Sequence, residues 1–418
     1  MQNIQNSLLY RITLWLSMGS LVEYYDFVVY AMMTKYIAIL FFPTQDKSLA
    51  IIQSFLIFAV GYFARPFGGT LIGMMGDRFG RKPAFLMLTA LMSLSTFAIG
   101  CLPIYDRIGF CAPLLLLVFR IFQGISYAGE LPGATTIIGE FAPQKSLGRF
   151  TSFIISSTSI GAILATFVLY VLTSTFEESE ILAFGWRFPF IMGGCLGLIL
   201  LALRLKLLET PVFTTHQRVK LNPFILLLKD HYKNVLQGFS LTSFFASLVL
   251  LNLFFPYYIP TFFGFDSKDV YFGITISLVF SAFIFPFCGK FSDLFPKRNI
   301  LIKTTLFYLL TCLPLFSLLL FRHTINLILF LIFHQFFIAL FGSSYFPLMT
   351  RLFPTSVRYT GIAFCYNLTF AFMALLPSFL TSLIHHSHPW VVPGMMCFFA
   401  LISLTGAIKL PSSERDLS

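Results

Sequence analysis

The stretch G-M-M-G-D-R-F-G-R-K, Gly73 to Lys82, returns later in the chain as G-K-F-S-D-L-F-P-K-R, Gly289 to Arg298. The leading glycine, the acid and the two closing basic residues keep their spacing. Each copy follows the second long apolar segment of its half of the chain. A repeat of this kind reads as two homologous halves, each built on the same plan. The motif has its own physics. Gly73 lets two helices approach closely. Asp77 and its counterpart Asp293 can accept hydrogen bonds from a neighbouring helix terminus and pair with a cation. Gly80 permits a tight turn. Arg78, Arg81, Lys82 and Arg298 hold the joints on one side of a membrane.

The medium follows from composition. Of 418 residues, 57% are hydrophobic and 11% charged, with mean hydropathy +0.84. Soluble domains carry about 25% charged residues. The chain therefore reads as an all-α membrane protein whose unit is the spanning helix of about 20 apolar residues. The net charge of +11 is spread over short clusters between apolar segments. That is the pattern of orientation signals rather than of a nucleic-acid surface. The seven cysteines are scattered, without a C-x-x-C, and imply neither a disulfide frame nor a metal site. No cofactor is expected; a proton gradient would supply the driving force.

Apolar segments divided by charged breaks give twelve transmembrane helices, at 12–36, 50–73, 84–103, 112–138, 150–173, 188–208, 234–259, 271–290, 301–321, 326–350, 361–383 and 393–410. Sorting the 28 basic residues by side places twenty with both termini and six opposite, leaving Arg65 and Arg120 inside helices. Both termini are thus expected in the cytoplasm. The longest break, 209–233, divides an N-terminal six-helix half (1–208) from a C-terminal one (234–418). Parallel repeats of this type place substrate near the midplane between halves.

Six blocks in order resemble the major facilitator superfamily, and within it the metabolite:proton symporters for proline/betaine, α-ketoglutarate, citrate and shikimate. They are E-Y-Y-D-F (Glu23–Phe27), A-R-P-F-G-G with Arg65 leading into the first repeat, R-I-F-Q-G-I-S-Y-A-G-E (Arg120–Glu130), G-W-R-F-P-F (Gly185–Phe190), L-E-T-P-V-F (Leu208–Phe213) and F-P-T-S-V-R-Y-T-G (Phe353–Gly361). The resemblance implies the major facilitator fold, residence in a bacterial inner membrane as a multi-pass protein, and a monomer working on a small-molecule substrate and protons within the lipid bilayer. Two departures stand out. Met74 replaces a customary histidine, and A-G-E-L-P-G (Ala128–Gly133) stands where the family usually has G-G-E-Y-G-G, with Pro132 shortly after the acid. Proline there is expected to kink the helix.

Inside the helices the chain carries few charges: Glu23, Asp26, Arg65, Arg120 and Glu130, with Glu140 near a helix end. A carboxylate at the bilayer centre costs at least about 2.5–3.5 kcal/mol, so such residues normally face the bundle interior. Glu23 and Asp26, three residues apart, share a helix face with Tyr30 one turn on. Two adjacent carboxylates in low dielectric cannot both ionise cheaply, which suits proton handling. Arg120, Gln123, Tyr127 and Glu130 form a polar stripe, and Arg120 could grip a carboxylate in bidentate fashion. Ion pairing among these charges is the plainer alternative. Asn252, Tyr257, Tyr258, His334, Gln335, Tyr366 and Asn367 are candidate cavity residues of the second half, each also readable as a satisfied buried polar group. The expected function is proton-coupled symport of a small organic acid or zwitterion by alternating access. A drug–proton antiporter of the same fold is the alternative, and no nucleophile–base spacing points to an enzyme.

Overall fold

The computed structural model describes residues 2–42, 47–207, 209–210, 222–376, 379–380 and 390–411. Among them the chain is helical, without strand. Twelve helices have sixteen residues or more: α1 (Gln2–Phe41), α2 (Lys47–Phe79), α3 (Arg81–Cys101), α4 (Cys111–Phe141), α5 (Leu147–Thr175), α6 (Arg187–Arg204), α7 (Tyr232–Phe263), α8 (Ser267–Ser292), α9 (Lys297–Ser317), α10 (Thr324–Leu352), α11 (Arg358–Met373) and α12 (Val391–Ile408). Nine are long and apolar enough to cross a membrane by length and composition. The others are α1, which carries Glu23 and Asp26; α2, which carries Arg65, Asp77 and Arg78; and α11, with 16 residues. Most boundaries fall within a few residues of the expected spans. The largest departure is α1, expected at 12–36. The expected linker holds a short helix, Pro223–Asp230, capped by the Asn222 side chain. Pro211, Phe213, Arg218, Lys220, Arg415 and the end of the 361–383 span lie outside the described residues.

Polar and small side chains gather on the inward faces of the helices beside a buried apolar core, while many large apolar residues also face outward. On α4, Arg120, Gln123, Gly124, Ser126, Gly129 and Glu130 are buried while Leu114, Leu115 and Phe122 are exposed. With lipid outside, apolar surface gains nothing by hiding, so packing and polar contacts decide which face turns in. One apolar cluster is drawn from residues 227–410 with Ile155; two others are drawn from residues 9–207 with Tyr359 and Ala363.

The repeat of the sequence is a repeat of contacts. Asp77 accepts from the Tyr359 and Thr360 amides (3.2 and 2.8 Å) and from the Thr360 hydroxyl (2.7 Å), at the N-terminus of α11. Asp293 accepts from the Gly148 and Arg149 amides (2.7 and 2.9 Å), at the N-terminus of α5. Both acids thus occupy the second and third amides of a helix in the opposite half, where the dipole favours a negative charge. Each pairs with the cation four residues on: Arg81 at 2.8 Å and Lys297 at 3.2 Å. The glycines explain the proximity. A Cβ on Gly73 would lie 2.7 Å from Thr360 Cα, and one on Gly289 would lie 2.5 Å from the Gly148 carbonyl. Gly80, the single residue between α2 and α3, has φ 119, which suits glycine alone.

Further links join the halves through carbonyls that prolines have released. Pro132 has no N–H to give the Ala128 carbonyl four residues back. That carbonyl accepts instead from Asn367 Nδ2 of α11, at 2.7 Å. Pro286 likewise releases the Ala282 carbonyl of α8, which accepts from Ser156 Oγ of α5 at 2.5 Å. These contacts lie toward the end of the bundle bearing the joints 79–81, 142–146, 293–297 and 353–357, here called the basic face. Pro132 sits inside one continuous helix. What distinguishes its neighbourhood is the redirected hydrogen bond.

Candidate functional site

Two chambers carry the buried polar residues. The inner one lies within the first half, lined by Asp26, Phe27, Tyr62, Arg65, Arg120, Gln123 and Tyr127 among others. Gln123 is its hinge piece. Its Nε2 donates to Asp26 Oδ2 (2.6 Å) and to Thr96 Oγ1 (2.9 Å), and its Oε1 accepts from Arg120 (2.8 Å). The amide thus orders a carboxylate and a guanidinium around itself. Arg120 also lies 4.0 Å from the Tyr30 ring centroid. Arg65 is packed between rings, its guanidinium carbon 3.8 Å from Tyr62, 3.7 Å from Tyr127 and 5.3 Å from Phe27. Cation–π contact holds this buried charge. Arg65, which the sequence places inside a helix ahead of the first repeat, lines the inner chamber.

The central cavity lies between the halves. The first half contributes Ser20, Glu23, Tyr24, Tyr127, Thr158 and Ser159. The second contributes Phe245, Asn252, Ser281, Gln335 and Tyr366. Glu23 is the one formally charged side chain among its lining residues. Glu23 is 4% exposed, and its Oε2 has no hydrogen-bond partner. Tyr127 faces both chambers.

Glu130 stands apart from both. It forms an ion pair with Arg204 at the end of α6, through two hydrogen bonds, one of them 2.8 Å to Nη1. Arg204 also meets Thr89 Oγ1 at 2.5 Å and lies over the Phe85 ring at 4.1 Å. Arg204, one of the twenty basic residues on the side of the termini, is fully buried. As the last residue of its helix, two before Lys206, it has the sequence pattern of a topogenic loop cation. Glu140 does lie at a helix end, yet away from solvent. Its side chain is fully buried and pairs with Arg81 (3.0 Å) and Arg358 (3.1 Å). The buried charges therefore exceed the five read from the sequence.

Around the repeat, Glu209 accepts from the Arg81 and Lys82 amides (3.0 and 3.2 Å), capping α3. Arg78 is exposed beside Phe79. Arg298 donates to the Ala407 and Ile408 carbonyls at the end of α12. Of the second-half candidates, Asn252, Gln335 and Tyr366 reach the cavity. His334 is buried against the Leu248 carbonyl (2.9 Å) and the Phe255 ring, Tyr258 is buried in the apolar core, and Tyr257 is 43% exposed. Among the described residues no cluster could hold a metal ion.

Known proteins agree with this architecture. The Major Facilitator Superfamily profile matches residues 27–365. A putative proline/betaine transporter of Staphylococcus haemolyticus is 33% identical over 84% of this chain and 76% of its own length. The glycine betaine/proline/ectoine/pipecolic acid transporter OusA of Dickeya dadantii is 28% identical over 96% of this chain and 83% of its own length. Among solved structures, the proton:xylose symporter XylE, bound to 6-bromo-6-deoxy-D-glucose, superposes with a TM-score of 0.78. It covers 97% of this chain and 95% of its own at 18% identity, which shows a shared fold. Twelve long helices, a doubled acid–glycine joint and buried charges gathered between and within the halves have their explanation in common descent: the chain belongs to the Major Facilitator Superfamily of membrane transporters.

Proposed function

We propose that this protein carries a small zwitterion of the proline/betaine kind together with a proton, by alternating access between an N-terminal half (1–208) and a C-terminal half (234–418). The basic face is read as cytoplasmic, in a bacterial inner membrane. The observation that carries the substrate class is the charge of the central cavity. Its lining holds one carboxylate, Glu23, three tyrosines and no cation. A di- or tricarboxylate there would bring two or three negative charges against that of Glu23 with no cation in the lining, which low dielectric penalises heavily. An ammonium pole finds a carboxylate and aromatic faces, both favourable. Arg120, the expected grip for an organic acid, is engaged in the inner chamber. The relatives named for proline and betaine point the same way.

The two acids then divide the work. A carboxylate that held both the proton and the ammonium pole would make them compete, which favours exchange in opposite directions. Symport needs separate seats. Glu23, in the cavity, takes the substrate. Asp26, in the inner chamber beside Gln123, takes the proton. Uptake into proteoliposomes tests this. An imposed inward proton gradient is expected to drive betaine or proline uptake; indifference to the gradient overturns the coupling. Asp26→Asn is expected to abolish gradient-driven uptake while sparing substrate exchange. The same cavity would also suit an apolar cation, so proton efflux driven by influx of a lipophilic amine would instead favour the antiporter reading.

A further inference from the structure

The cavity has a polar wall on each half: one carries a carboxylate, the other neutral amide and hydroxyl groups. The first half presents Glu23. The second presents Asn252 on α7, Ser281 on α8 and Gln335 on α10. Gln335 Nε2 donates to Asn252 Oδ1 at 3.4 Å, which fixes the Asn252 amide. Its oxygen is engaged, while its two N–H groups meet no protein acceptor among the described residues. Ser159 Oγ donates to Ser281 Oγ at 3.2 Å, which leaves the Ser281 hydroxyl proton free to donate. Neutral N–H and O–H donors hold a carboxylate well, and such charge-assisted hydrogen bonds are about twice as strong as neutral ones.

We infer that the zwitterion binds in one orientation, its ammonium pole on Glu23, Tyr24 and Tyr127, its carboxylate pole on the Asn252 amide and the Ser281 hydroxyl. The inference rests on the zwitterion reading above and adds which half holds which pole. The reverse orientation would set two carboxylates together. Each pole therefore belongs to a different half, and the ligand ties the halves across the cavity. A molecule with one pole engages one half only. Asn252 and Ser281 become specificity residues, selecting for the carboxylate.

Calorimetry on the purified full-length protein, with glycine betaine, choline and 3,3-dimethylbutanoate, separates the poles. Choline lacks the carboxylate and 3,3-dimethylbutanoate lacks the positive charge. The wild type is expected to bind betaine and to bind the two single-pole compounds far more weakly. Asn252→Leu should weaken betaine by roughly tenfold or more, the usual loss for a hydrogen bond to a charge, and leave choline unchanged. Ser281→Ala, a near-isosteric change, should move betaine the same way by less. Betaine affinity intact in both variants, or betaine and choline weakened equally, overturns the assignment. A wild type that binds choline as tightly as betaine also overturns it, while the cation-seat reading of Glu23 stands. A wild type that binds none of the three overturns the zwitterion reading itself.

Discussion

Glu23 and Asp26 stand one helical turn apart and face different chambers. That both turn inward was legible in the sequence, because a carboxylate in a bilayer is too costly to face lipid. Which chamber each faces was not, since it depends on where α4, α7 and α10 sit around α1. Arg204 shows the opposite case: a residue whose burial the sequence concealed. Its energetics yield a clear expectation. Arg204→Met leaves Glu130 buried without its partner, which should lower stability by about 3–5 kcal/mol. Replacing both, as Glu130→Gln with Arg204→Met, should recover most of the loss. Thermal unfolding in detergent, compared across the two single variants and the double, measures it. A double variant as unstable as Arg204→Met alone would mean the loss is one of packing.

At the scale of the element, prolines and glycines decide where helices meet. The repeat made Gly73, Asp77 and Asp293 readable as contact residues, because spacing alone carried the signal. Asn367 and Ser156 were not readable as partners of Pro132 and Pro286, because a released carbonyl accepts from whatever side chain the fold brings to it. Asn367→Leu should leave the Ala128 carbonyl buried and unpaired, at about 1–3 kcal/mol. In a Pro132→Ala background the restored N–H can serve that carbonyl, and the penalty should shrink by about one kcal/mol. A double-mutant cycle on unfolding free energy tests the coupling. Gly80→Ala should destabilise by about 1 kcal/mol or more through its positive φ alone, with the joint's hydrogen bonds unchanged.

At the scale of the whole molecule, the two acid-capped helix ends close the basic face symmetrically, each half holding a helix of the other. The halves, their repeat and the number of helices were all visible in the sequence, because membrane thickness and charge bias impose them. The conformation was not, since one sequence serves every state of the cycle. Asp77→Asn and Asp293→Asn each keep the shape but remove the charge from a helix terminus. Spin labels at the exposed positions Arg78 and Leu294, on a cysteine-free background, should show a longer distance population growing in the double variant beyond either single one. An unchanged distance distribution would mean that the caps do not hold this state.

Pro132 has a consequence for the path between states. A regular helix in a membrane is a sealed object, its polar atoms bonded inward at every turn. Here one carbonyl is kept for a neighbour that must leave when the basic face opens. The interface then parts into water that enters the widening cleft, and water can take the place Asn367 gives up. The proline thus prepares a hydratable point in the middle of α4, as Pro286 does at the Ala282 carbonyl of α8, and hydration of the Ala128 carbonyl becomes an early marker of opening.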